Sequence, residues 1–149
     1  MSKRLKVAFL CHLIALLLIA LIGVIYLFRG QFMPYHAVAL GRDWAGLDRA
    51  LQVLLLALMK AVGGASLATA VAMVILLLIP FRQGPYWARW AIPVVGLVWV
   101  LPNLYGSVRV ALNTPATPPW IGALVVVALL IAGFVLSMES KRREQASLR

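Results

Sequence analysis

Apolar residues fill four long stretches of this chain, and most charged residues lie between or beyond them. The first stretch runs from Val7 to Phe28. The second lies within Leu51 to Ile79, the third runs from about Trp90 to Val108, and the fourth from Trp120 to Met138. A helix needs ~20 mostly apolar residues to cross a hydrocarbon core of ~30 Å. Each stretch therefore predicts one spanning helix, and the chain as a whole predicts an all-α integral membrane four-helix bundle forming a single domain over residues 1–149.

The second stretch needs a register. A helix rises ~1.5 Å per residue, so about twenty residues counted back from Ile79 reach Lys60. That sets the embedded part at 61–79 and places Lys60 at its boundary, where an ammonium can snorkel to headgroups. A span starting at Leu51 would bury Lys60 and strand the apolar run "VAMVILLLI" outside, which is unfavourable. The preceding stretch, about residues 43–60, carries Trp44, Leu47, Leu51, Leu54, Leu55 and Leu58 at helical spacing, with Asp43, Asp48, Arg49 and Gln52 among them. It reads as an extra amphipathic helix that either lies in the interface or continues the second span as a tilted extension. Asp43 is its expected N-cap, and Gly63-Gly64 is the expected bend between the two pieces.

Turn chemistry completes the frame. Pro80 ends the second span and Gly84-Pro85 supplies a sharp bend. Pro93 and Pro102 lie inside the third span, each removes a backbone hydrogen bond, and a kink is expected there. "NTPATPP" predicts a stiff, extended link. Residues 139–149 read as a short solvated tail. The first stretch is read as an uncleaved helix, because its apolar core exceeds the ~7–15 residues of a signal peptide and "GVIYLFRG" offers no small-x-small cleavage site.

Charge sets orientation. The ends and the link that share one side carry nine Lys and Arg: Lys3, Arg4, Lys6, Arg82, Arg89, Lys141, Arg142, Arg143 and Arg149. The opposite side carries Arg29, Arg42, Arg49 and Arg109, offset by Asp43 and Asp48. By the positive-inside rule both termini are predicted cytoplasmic. Tyr86, Trp87 and Trp90 mark the inner boundary of the third span, and Tyr26, Tyr105 and Trp120 mark outer ends. Trp99, nearer mid-span, is expected between helices. The net charge of +10 would suggest nucleic acid in a soluble protein. Here topology and anionic lipid headgroups at the basic cytoplasmic ends account for it, and no nucleic-acid partner is expected.

Composition narrows the chemistry. The chain is 64% hydrophobic and 12% charged, far from a soluble domain, which is about a quarter charged. A single cysteine, Cys11, excludes an internal disulfide and a CxxC redox pair. No Asp or Glu lies between Arg49 and Met138, and the first span has none. Proton-coupled small multidrug transporters, similar in size, need an intramembrane carboxylate, so that mechanism is disfavoured. His12 and His36 fall on opposite sides and cannot share a metal or haem; His12 is read as a hydrogen-bonded packing residue. No catalytic signature is found. No cofactor or metal is expected, and the chain is not read as an enzyme.

Two features remain for function. Gly64, Ala68 and Ala72 form a small-residue stripe suited to helix packing, either within the bundle or against a partner. On the outer side, His36, Arg42, Asp43, Lys60 and Arg109 are candidate ligand-binding residues, suited to a headgroup or a small polar molecule. The leading expectation is an accessory or scaffold subunit that binds partner helices, a second copy or lipid. The alternative is a carrier or binding protein with an outward-facing polar pocket.

The stretch "IPFRQGPYWARWAIPVVGLVWVLPNLY" followed by "NTPATPPW" covers the second half of the chain. It resembles small bacterial inner-membrane proteins of the DoxX-like and DUF4345-type four-helix kind. The resemblance implies a four-helix protein of a bacterial plasma membrane and carries no catalytic residues to positions here.

Overall fold

The computed structural model describes residues 2–146, with side chains described through residue 139. The elements are α1 (Lys3–Phe28), the short α2 (Pro34–Leu40), a single 3-10 turn (Trp44–Gly46), α3 (Arg49–Leu78), the one-turn α4 (Pro80–Gln83), α5 (Tyr86–Asn113) and α6 (Trp120–Ala146). Four helices, α1, α3, α5 and α6, are long and apolar enough to cross a membrane. The protein is a multi-pass helical membrane protein. Helices reach past the apolar windows because polar end residues extend a helix without deepening its span. Thus α1 begins at Lys3, α3 at Arg49 and α5 at Tyr86. Likewise α6 continues helical to Ala146, through most of the predicted solvated tail. The side chains of Lys141, Arg142 and Arg143, and the whole of Arg149, lie outside the described residues.

The four spans form a ring in the order α1, α3, α5, α6, each packing on its two neighbours. We call the end near both termini proximal and the opposite end distal. Ala8, Ile19, Met73, Leu77, Phe81, Ile92 and Leu130 are fully buried in one continuous core. Large apolar residues such as Leu17, Val71, Val98 and Ile121 are exposed all around the bundle. A belt of this size would aggregate a soluble domain; in a bilayer it faces lipid.

Local signals explain most ends. Ser2 Oγ accepts from Leu5 N–H at 3.3 Å and caps α1. Asp48 Oδ1 accepts from Leu51 N–H at 2.9 Å and caps α3. The expected cap Asp43 instead precedes the 3-10 turn and makes no side-chain capping bond. Helix α3 runs unbroken through the Gly63-Gly64 pair, so the pair does not divide it into two helices. From Arg49 onward the amphipathic stretch is therefore the continuous extension of the second span. Gly84, at φ +91°, closes α4 in the left-handed region as the turn requires. Helix α5 passes through Pro93 and Pro102 without interruption.

The segment between α1 and α3 folds down over the distal end. Phe32, Leu47 and Met59 bury one another there with Trp44 and Leu55 packed against them. Phe32 and Trp44 meet edge to face at 5.1 Å between centroids. Gln52 Nε2 donates to the Trp44 and Leu47 carbonyls at 2.9 and 3.2 Å, pinning the turn to α3.

Candidate functional site: a distal intramembrane cavity

Helices α1 and α3 close tightly through two glycines. A Cβ at Gly63 would lie 2.7 Å from the Leu27 backbone nitrogen and 2.9 Å from the Gly23 carbonyl oxygen. Only residues without side chains allow this approach. The sequence stripe sits one residue out of phase with it. Gly64 and Ala68 are exposed and Ala72 is half-buried, and a Cβ on Gly64 would meet nothing within 4 Å. The stripe is thus turned away from the bundle, and the internal seam belongs to Met59, Gly63, Ser66, Ala70, Met73 and Leu77. Lys60 completes that seam: its ammonium donates to the Leu27 carbonyl at 2.7 Å. This carbonyl is in the last turn of α1, where orphan acceptors and the helix dipole both favour a cation.

On the other side of α1 the distal half opens. A chamber of about 500 Å³ lies between α1, α5 and α6, with Leu18, Ile22 and Tyr26 of α1, Trp99 of α5 and Val126 of α6 in its wall. A cleft of about 350 Å³ lies between α2, α3 and α5, walled by Tyr35 and His36 of α2 and by Met59 of α3. Tyr26, Val62, Asn103 and Ser107 line both, so these four residues are common to the two walls. Trp99 packs between helices as expected, with one face left to the chamber.

The polar groups of these walls are few and placed. The phenols of Tyr26 and Tyr35 share a hydrogen bond at 2.5 Å. Burial raises the Tyr35 phenol, with the bond to Tyr26 as the second cause. His36 Nδ1 accepts from the Met33 backbone N–H at 3.3 Å, and its ring packs against Tyr35 at 4.2 Å. Burial holds its pKa below the ordinary value, so the ring is neutral and its proton sits on Nε2. Asn103 Nδ2 donates to the Trp99 carbonyl at 2.7 Å, leaving Oδ1 as an acceptor. Ser66, Thr69 and Ser137 each donate to a carbonyl of their own helix. The Ser107 hydroxyl bonds nothing among the described residues.

Of the five candidates on the outer side, His36 lines the cleft. Lys60 is engaged with α1. Arg42, Asp43 and Arg109 are exposed, line neither void, and make no ion pair among the described residues. The residues that sequence reasoning passed over are Tyr26, Asn103 and Ser107. The available signal was Asn103 and Ser107 themselves, spaced by four within an apolar span, where polar side chains turn inward.

The proximal half differs. His12 is fully buried and its ring lies on Gly133, where a Cβ would come within 2.6 Å of it. It also meets Phe81 edge to face at 5.7 Å. Neither ring nitrogen has a hydrogen-bond partner among the described residues, so His12 is a packing residue without the hydrogen bond expected of it. Arg89, counted among the charges that set orientation, is buried, and its Nη1 donates to the Ser137 carbonyl at 2.6 Å. Arg4 and Glu139 pair across α1 and α6. Among the described residues no cluster of His, Cys, Asp or Glu could hold a metal ion.

No protein-family profile, no curated protein and no solved structure matches this chain.

Proposed function

We propose that this protein is a small binding protein of the membrane, which holds a lipid-soluble molecule in the distal half of its bundle. The observation that carries this reading is a chamber and a cleft that share four lining residues, largely apolar in the wall, with the polar side chains of Tyr26, Tyr35, His36, Asn103 and Ser107 among them. Ligand sites have this construction: an apolar concavity with a few placed polar groups. The lack of a catalytic signature favours binding over turnover. The test is mass spectrometry of small molecules that co-purify from native membranes in mild detergent. A near-stoichiometric amphiphile is expected with the wild type. Gly122→Leu and Gly106→Leu, which place volume into the chamber and the cleft from positions with open space, should lose it. Equal occupancy in all three proteins would sink the reading.

An accessory role is the second reading, favoured by the outward position of Gly64 and Ala68 on α3. A partner helix, or that of a second copy, would pack there. Gly64→Leu should then release a co-purifying subunit or dissociate a dimer while leaving cavity occupancy unchanged.

The charge asymmetry supports cytoplasmic termini, and the resemblance noted in the sequence supports a bacterial plasma membrane with anionic lipid at the basic ends. Impermeant labelling of single cysteines at Ser2 and Thr117 in whole cells, on a Cys11→Ser background, checks the orientation. Labelling at Thr117 alone is expected.

A further inference from the structure

We propose that the distal cavity selects an uncharged amphiphile whose head presents hydrogen-bond acceptors, carbonyls foremost, and excludes anionic headgroups. This rests on the reading of the void as a ligand site and names the chemistry of its occupant.

Charge is the first argument. Among the described residues no Lys, Arg, Asp or Glu lines the chamber or the cleft. The nearby ammonium of Lys60 is engaged with the Leu27 carbonyl, and Arg109, two residues beyond Ser107 on α5, is exposed. A phosphate brought into this wall would lose its hydration without a counter-ion, which is costly in a low-dielectric site.

The donor inventory is the second. In a hydroxyl pair one phenol donates to the other, so Tyr26 and Tyr35 keep one O–H free between them. His36 accepts at Nδ1 and offers Nε2–H. Ser107 offers its hydroxyl. Asn103 adds a fourth donor, the second N–H of the amide whose first donates to Trp99; its Oδ1 is the one group here that only accepts, while the hydroxyls do both. A donor-rich, uncharged shelf is complemented by carbonyl oxygens, each with two lone pairs.

Dimensions are the third. On α1 the chamber wall extends from Leu18 to Tyr26, a rise of ~12 Å at ~1.5 Å per residue, less than half of the ~30 Å hydrocarbon thickness. It takes a ring or part of a chain, and the remainder of a long tail must leave into the bilayer. Quinones and acylglycerols both meet this description, sharing neutral carbonyls on an apolar body.

The experiment measures binding to the full-length protein in detergent by native mass spectrometry, with three probes: a decyl-chain benzoquinone, dioctanoylglycerol and dioctanoylphosphatidylglycerol. At least one neutral probe is expected to bind tenfold or more tightly than the anionic one, and which of the two it is identifies the source. Ser107→Ala, and the double change Tyr26→Phe with Tyr35→Phe, each delete one free donor and keep the shape. Each should weaken the neutral probe about fivefold, the worth of one hydrogen bond. Tyr105→Phe, on the exposed face of α5, should change nothing. Phosphatidylglycerol binding as well as the neutral probes, blocked by Gly122→Leu, would overturn this inference and leave the binding function standing. Neutral binding indifferent to both donor deletions would also overturn it. If no probe binds above background, and nothing co-purifies from native membranes, both readings fall.

Discussion

The proximal and distal halves of this bundle are made of the same residue types and reach opposite results. In the proximal half a glycine is filled by a neighbour: the His12 ring occupies the space over Gly133. Mid-bundle, Leu130 does the same over Gly96. Phe81 and Leu77 close that half, and the Arg4–Glu139 pair and the Arg89 bond to Ser137 tie its helices together. In the distal half Gly106 and Gly122 face open space and line the cleft and the chamber. One exception sharpens the contrast: at the Gly23–Gly63 seam the distal half is as tight as anything below it. The opening is therefore local, confined to the side facing α5 and α6. A glycine in a membrane bundle marks either a close approach or a void, and what the opposite helix places against it decides which.

The largest expected effect comes from making the same change in both halves of one helix. Gly133→Leu must displace a fully buried ring and should destabilise by about 3 kcal/mol, the upper range for overpacking. Gly122→Leu, eleven residues earlier on α6, should stay within about 0.5 kcal/mol, as surface changes do. Unfolding in mild detergent followed by circular dichroism compares them. Equal losses would show that the distal half is packed and the cavity unreal.

Adjacent glycines give the next contrast. Gly63→Ala sets a methyl group against the α1 backbone, which cannot yield, and should cost about 2 kcal/mol. Gly64→Ala meets nothing and gains helix propensity, so it should be neutral or stabilising by up to about 1 kcal/mol. The same unfolding measurement decides, and a reversed order would mean that the stripe rather than the Gly63 face is internal. Lys60→Met removes the hydrogen bond to the α1 terminus and keeps the apolar stem. A loss of about 1 kcal/mol is expected, with fraying of the Leu27–Phe28 amides in hydrogen exchange.

These pairs also mark how far the sequence could be read. The four spans and the Gly84 turn were legible because length and punctuation carry them. The inward face of α3 was not. The helix is apolar all round, so periodicity has no contrast to report, and Gly64-Ala68-Ala72 is as regular a stripe as the true seam. Asp43 and Asp48 are the same residue five positions apart. Only the turn between them decides that Asp48 reaches the free N–H of Leu51. The cavity was invisible for a different reason. A void is a shape made by four helices at once, and its polar residues looked like separate features: Tyr26 an interface anchor, Asn103 and Ser107 unremarked within an apolar span. His36 was singled out for the chemistry of its side chain, and its neighbours at the cleft followed from packing alone.

The smallest expected effect tests whether the distal polar shelf is as dry as its lining implies. Burial lowers the His36 pKa in the folded protein, so the unfolded chain binds this proton at higher pH than the folded one. The unfolded value is near 6.5. Above it neither state is protonated at His36 and the residue contributes no slope. As the pH falls through 6.5 the unfolded state gains a proton that the folded state refuses, and stability declines until the folded ring also titrates. The slope from one such group cannot exceed about 1.4 kcal/mol per pH unit. His36→Gln should therefore leave stability at pH 8 little changed and flatten the decline below pH 6.5 relative to the wild type. Because His12 is present in both proteins, the difference between the two curves isolates His36. A His36→Gln curve parallel to the wild type throughout would mean that the ring is hydrated and the shelf open to water, and the distinction between a sealed half and a merely open one would give way to a distinction between a dry half and a wet one.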